Sequence, residues 1–292
     1  MPGLSTIDRN TRNIGHCNEL AYYARMWRLR SLFGTSKPII AMVHLPALPG
    51  RPRHDKRAGI GKLVDSAAAD VAALQAAGVD GLLFCNEADL PYQLVTGPEI
   101  AAGMAAIIGQ VRTGIAVPFG VNVVWDPIAS LAVAAATGAA FIREVCTGSY
   151  ESDHGLMRPD LGAIAAYRES IGAGSVALFS NITPEFGSTV GRRTVAERAR
   201  SAAYLGVDAI LISGLMTGTP LDAGELAAAK RAVPDVPVLA NTGTRAETIG
   251  EILAVADGAI VGTSLKLDGV TWNAVDQDRA ARFMEAARAA RG

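Results

Sequence analysis

Cysteine is scarce. Cys17, Cys85 and Cys146 are the three in 292 residues, an odd number without metal-ligand spacing. That argues against a disulfide framework and for a reduced, intracellular (cytoplasmic) compartment. Histidine is nearly as rare, with four residues. His16, His54 and His154 fall in loops or the tail and form no His-x-His or paired spacing, so no zinc site is expected. An excess of one charge is lacking too: the net charge of −1 offers nothing to nucleic acid. No apolar run suits a signal peptide or a transmembrane helix. The first apolar run leads into His44-Leu45-Pro46 rather than G-x-G-x-x-G, and no G-x-x-x-x-G-K-[ST] occurs. Both absences count against an open nucleotide-binding sheet. Low-complexity linkers are absent, and nothing marks a second domain.

What is present is a regular alternation. The chain is 50% hydrophobic, enough for a substantial core. Val236 to Ala240 is an apolar run opening into Asn241-Thr242-Gly243, and Gly258 to Val261 opens into Gly262-Thr263-Ser264. Between them lies a helical pattern that Thr244-x-x-Glu247 would start as a capping box. A strand, helix and strand so closely linked give parallel strands, with both turns at the carboxyl end of the sheet. Six earlier units repeat the pattern. Their expected strands are Ile39–Val43, Gly81–Cys85, Val117–Val124, Ala140–Val145, Ser175–Phe179 and Ala209–Ile212. Helices follow each, marked by Gly78, Pro98, Pro127, Gly138, Thr194-x-x-Glu197, Gly206 and Asp222-x-x-Glu225. The strands are continuous apolar runs, as parallel strands buried on both faces should be. Eight such units predict an α/β fold, a (β/α)8 TIM barrel over residues 37–292. Residues 1–36 form a basic extension with a helix expected from about Asn18 to Phe33. It either closes the barrel's bottom, packs on another subunit or lies on a membrane surface; its apolar positions spread too widely for a clean membrane face.

In this fold chemistry sits at the carboxyl ends of the strands. Those ends carry His44; Glu87 and Asp89; Asn122 and Asp126; Arg143 and Glu144; Asn181; Ser213 and Thr217; Asn241 and Thr242; and Thr263, Ser264 and Lys266. The expected mouth is a polar, ligand-sized cavity. Asn241, Thr242, Gly243, Gly262, Thr263 and Ser264 form a candidate phosphate cradle, with Lys266 adding charge and the hydroxyls adding donors. The plainer reading is that these are ordinary β–α turns. Glu87, Asp126 and Glu144 would converge if all point inward, raising at least one pKa and making a general acid. Each could equally be a rim salt bridge. His44 is a candidate general base or a structural histidine. Arg143 and Glu144 are neighbours, so on a regular strand only one of them faces the barrel interior, unless the strand has already ended there. Asn122, Arg143, Asn181 and Ser213 are expected to bind substrate. No cofactor is evident, although three carboxylates at neighbouring strand ends could hold Mg²⁺ with a phosphate oxygen. Cys85 and Cys146 read as packing. The loops 44–50, 185–193, 215–220 and 267–273 read as lids over the mouth.

Several stretches resemble the BtpA/SgcQ family: KPIIAMVHLPALPG at 37–50, GLLFCNEADLPY at 81–92, ATGAAFIREVCTG at 136–148, LISGLMTGTPLD at 211–222 and VGTSLKLDGVTWNAVD at 261–276. The similarity runs from Phe33 to Arg288. The resemblance implies a barrel of the ribulose-phosphate-binding type. One branch is named for biogenesis of photosystem I, and another is associated with carbohydrate metabolism. It supplies no settled catalytic residues. Asn86-Glu87 stands where many members have Glu-Asn, and Val124-Trp125-Asp126 where they have Arg-Asn-Asp. Those departures argue against the photosystem branch. The expectation is a homo-oligomeric enzyme of isomerase or lyase type acting on a small phosphorylated, sugar-like metabolite. The alternative is a non-catalytic assembly factor for a membrane complex, although a membrane partner is not expected.

Overall fold

The computed structural model describes residues 29–291. Eight parallel strands close a barrel: β1 (Ile39–His44), β2 (Gly81–Cys85), β3 (Phe119–Asn122), β4 (Phe141–Glu144), β7 (Ala177–Asn181), β9 (Ala209–Ile212), β10 (Val238–Ala240) and β11 (Ala259–Val261). β11 pairs back onto β1, with Ala41 opposite Val261. Three short strands, β5 (Tyr150–Ser152), β6 (Gly155–Met157) and β8 (Gly187–Thr189), form a separate antiparallel sheet from the loops after β4 and β7. Sequence patterning gave no sign of it, because three-residue strands have no readable period. The loop expected at 185–193 is therefore partly strand.

Helices alternate with the barrel strands: α1 (Gly59–Ala77), α2 (Pro98–Val111), α3 (Pro127–Thr137), α4 (Leu161–Ser170), α5 (Val195–Tyr204), α6 (Ala223–Ala232), α7 (Ile249–Leu253) and α8 (Gln277–Arg291). The Thr194–Glu197 capping box is present at α5, and Asp222 accepts from the Glu225 N–H at α6. The expected box at Thr244–Glu247 is not. Residues 244–248 stay in the turn, where Thr248 Oγ1 accepts from the Arg245 N–H, and α7 starts only at Ile249.

Side chains alternate across each strand. Outward positions such as Ile39, Ala41, Val43, Leu82 and Phe84 pack under the helices. Inward ones such as Ile40, Met42, Leu83, Phe141, Phe179, Leu211 and Ile260 fill the barrel. The lower layer is aromatic: Phe141 stacks on Phe179 at 4.7 Å, and Phe33 meets Phe141 edge-on at 5.6 Å. Gly120 makes room for this layer, since a Cβ there would sit 2.3 Å from the Phe141 ring. Residues 29–33 are helical and deliver Leu29 and Phe33 to the bottom of the barrel. This end of the extension closes the barrel; the helix expected from Asn18 lies otherwise outside the described residues. Among the described residues no helix is long and apolar enough to cross a membrane.

Candidate functional site

Above the aromatic layer the inward positions turn polar, and a cavity of about 560 Å³ opens at the carboxyl ends of the strands. Its size suits a small organic ligand. Two walls differ in construction.

The first wall comes from the turns after β10 and β11. Gly243, Thr244, Gly262, Thr263 and Ser264 line it. The main-chain N–H groups of Gly243, Thr244, Thr263 and Ser264 have no acceptor among the described residues. Gly243 sits at φ 64, and a Cβ on it would strike the Thr219 carbonyl at 2.3 Å. The hydroxyls do not act as the expected donors. Ser264 Oγ donates to the Thr244 carbonyl at 2.8 Å, Thr263 Oγ1 meets Thr271 Oγ1, and Thr242 Oγ1 accepts from the Gly214 N–H. They pin the turns and leave the main chain to the cavity. Thr244 Oγ1 is the exception: it is buried and unpartnered. Arg245, Arg279 and Arg282 face the same end, with Glu247 and Asp268 beside them.

Lys266 is not part of this cradle. Its Nζ turns away to a buried ion pair with Asp70 at 2.6 Å, and Asp70 also accepts from the Val275 N–H. Burial lowers the lysine pKa, which the neighbouring Asp70 opposes. A hydrogen-bonded aspartate at that distance outcompetes a solvent-facing role.

Side chains of the strands and their following loops form the second wall. Arg143 points inward from β4, and its neighbour Glu144 points outward, as alternation requires. Arg143 forms an ion pair with Glu185 and donates to Asn122 Oδ1 at 3.0 Å and Asn241 Oδ1 at 3.2 Å. Burial works against its charge, but Glu185 leads a group of acids that hold its pKa above the ordinary value. Glu185 is itself held by Asn181 and Asn241, and Ser213 accepts from both asparagines. Asn122, Asn181 and Ser213 thus sit behind the wall and orient it, rather than lining the cavity.

Glu87 lines the cavity directly. Burial raises its pKa above the ordinary carboxylate value, against the Thr217 hydrogen bond and the Arg143 charge. Thr217 reaches it from the loop after β9, donating to Oε1 at 2.9 Å. His44 also lines the cavity, but burial, then the charge of Lys266, drives its pKa down to about 3. At neutral pH it is an uncharged imidazole, a donor and acceptor rather than a strong base.

Two expected acids are elsewhere. Asp126 caps α3, accepting from the Ala129 N–H at 2.9 Å and from the Thr96 N–H and hydroxyl. Glu144 lies behind β3 and β4, accepting from Ser130 Oγ at 2.6 Å and Asn122 Nδ2 at 2.7 Å. Burial pushes its pKa up to about 8. Glu144 therefore fixes the Asn122 amide so that Oδ1 faces Arg143. The three carboxylates do not converge, and the Mg²⁺ arrangement built on them is not assembled. No group of three or more His, Cys, Asp or Glu side chains among the described residues is placed for a metal. Asp89 ties loops together, accepting from the Leu48 N–H and Asn86 Nδ2. Cys85 and Cys146 are buried free thiols whose pKa burial raises.

The profile of the BtpA family matches residues 35–289. The chain belongs to the BtpA family. The sgc region protein SgcQ of Escherichia coli is 46% identical over 258 residues, 88% of this chain and 96% of that one. The photosystem I biogenesis protein BtpA of Synechocystis sp. is 30% identical over 258 residues, 87% of this chain and 89% of that one. Among solved structures, thiamine phosphate pyrophosphorylase from Pyrococcus furiosus superposes with a TM-score of 0.53 at 15% identity, covering 88% of this chain and 98% of that one. N-(5'-phosphoribosyl)anthranilate isomerase from Pyrococcus furiosus gives 0.51 at 13% identity, covering 87% and 99%. These structural likenesses speak for the barrel fold alone.

Sequence reasoning missed several cavity residues of this BtpA-family barrel. Glu185 was visible only as the start of a loop; the missing signal was that an inward Arg143 needs a counter-charge. Arg279 and Arg282 come from α8, which no strand-end rule would select. Tyr92, Trp125 and Phe186 also line the cavity.

Proposed function

We propose that this chain is a phosphate-binding barrel enzyme performing acid–base chemistry, of isomerase or lyase type, on a small phosphorylated, sugar-like metabolite. One observation carries the reading. Unpartnered main-chain N–H groups from two adjacent turns, flanked by arginines, share a cavity with a carboxyl of raised pKa. Main-chain donors of this kind favour an anion. Two structural neighbours, a thiamine phosphate pyrophosphorylase and an N-(5'-phosphoribosyl)anthranilate isomerase, are named for phosphorylated compounds, which fits a phosphorylated ligand.

In this reading the turns hold the phosphate and fix the rest of the substrate against Arg143, Glu87 and His44. Glu87 moves the proton, because burial brings its pKa toward the working pH. Arg143, kept charged by Glu185, stabilises a developing oxyanion. Neutral His44 donates a hydrogen bond to the same oxygen without adding charge, as a histidine of lowered pKa can.

The test is to screen wild type and Glu87→Gln against a panel of sugar phosphates, with inorganic phosphate binding measured alongside. Turnover by wild type and its loss in the variant, with phosphate affinity kept, is the expected result. Absence of phosphate binding to the wild type overturns the reading. A non-catalytic assembly role rests on the name of the Synechocystis relative; liposome flotation with and without residues 1–36 tests it.

A further inference from the structure

The cavity has a third wall, which the acid–base reading does not use. Tyr92, Trp125 and Phe186 line it from the loops after β2, β3 and β7. Their rings meet mainly edge-on: Tyr92 and Trp125 at 5.5 Å and 67°, Trp125 and Phe186 at 6.4 Å and 70°. His154, between β5 and β6, backs them at 4.6 Å from Trp125. This is what the small sheet contributes: it brings a second layer against the rings.

The backbone beneath two of these rings is strained. Trp125 sits at φ 68 and Phe186 at φ 60, a region side-chain-bearing residues avoid. Asp268, at φ 57, is the remaining non-glycine residue of positive φ among those described, and it too lines the cavity.

Aromatic faces recognise flat apolar surfaces, and Glu87, Arg143 and Asn241 beside them offer polar groups to a ring's edge. We propose that Tyr92, Trp125 and Phe186 form a ring-binding subsite. The substrate class is then a phosphate monoester whose other end is a ring with a flat apolar face, either the C–H face of a closed sugar or a planar unsaturated ring. The inference rests on the phosphate reading above, and its test separates the two.

Inorganic phosphate, glycerol phosphate, a phosphorylated methyl hexopyranoside and phenyl phosphate are titrated calorimetrically into the full chain. A ring-bearing ester should bind about tenfold tighter than glycerol phosphate. The hexopyranoside and phenyl arms tell the two ring types apart. Trp125→Ala should remove that margin and leave inorganic phosphate affinity unchanged. Phe186→Leu gives the same readout if the tryptophan variant fails to fold. Equal affinity for ring and open-chain esters overturns the proposal, as does a uniform loss across all four ligands in a folded variant. If inorganic phosphate fails to bind while ring esters bind in a Trp125-dependent way, the subsite stands and the cradle falls. If nothing binds, both fall.

Discussion

The two polar walls of the mouth place their groups by different means. The turns after β10 and β11 offer main-chain N–H groups, and the hydroxyls of Thr242, Thr263 and Ser264 are spent on holding the turns together. The wall from β2, β4 and β7 offers side chains, each fixed by buried partners such as Asn122, Asn181 and Ser213. One wall depends on backbone shape, the other on which way each strand residue points. The contrast explains why acids of similar sequence position fare differently. Glu87 faces the cavity, while Glu144 and Asp126 serve the layer behind it.

The largest expected effect sharpens that division. Glu87→Gln should lower turnover of a substrate by about 10²–10⁴-fold. Its melting temperature should change little, which a thermal melt beside the kinetics checks. Glu144→Gln should not reproduce the kinetic loss, because the amide oxygen can still accept from Asn122 and Ser130. Comparable kinetic loss in the two variants would erase the distinction.

Lys266→Met attacks the comparison from the cradle side. It leaves Asp70 buried and unpaired, so urea denaturation should show a loss of about 3–5 kcal/mol. Phosphate affinity of the folded variant should stay near wild type. A phosphate defect without a stability defect would return Lys266 to the cradle.

A smaller effect separates the walls by pH. On folding, the Glu144 pKa rises from 4.5 to about 8. Between these values the unfolded chain has released a proton that the folded chain keeps, so stability falls as pH rises. His44 runs oppositely: from about 3 to 6.5 the unfolded chain holds a proton that the folded chain does not, so stability rises with pH. Above 6.5 Glu144 acts alone of the two. Glu144→Gln should therefore flatten the decline between pH 6.5 and 8, an effect on the order of 2 kcal/mol. Denaturation curves at both pH values for both proteins measure it; parallel declines would place Glu144 in a wetter setting.

Smallest is Arg282→Ala, which should weaken inorganic phosphate binding about tenfold and leave stability alone. Calorimetric titration at low salt reads it. No change would confine the cradle to the backbone.

Much of the fold was legible because parallel buried strands announce themselves as apolar runs with helix caps between them. Pro127, Gly138 and the Thr194–Glu197 box mark real helix ends. The Thr244–Glu247 pattern misled because the same residues were needed in a cavity-lining turn. Strand register decided the rest. The rule that Arg143 and Glu144 must diverge was readable, but which one faces inward depends on packing that a single residue of slip reverses. Lys266 could not be placed because its partner, Asp70, lies 196 positions away on α1. Glu185 and the aromatic wall come from long loops, whose shape no local pattern fixes.

The most direct measurement is an amide NMR titration of isotope-labelled chain with inorganic phosphate. The N–H signals of Gly243, Thr244, Thr263 and Ser264 should shift together and saturate along one binding curve, with Lys266 and its partner Asp70 unmoved. Still signals at those four amides under saturating phosphate, or a response centred on Lys266, would contradict it.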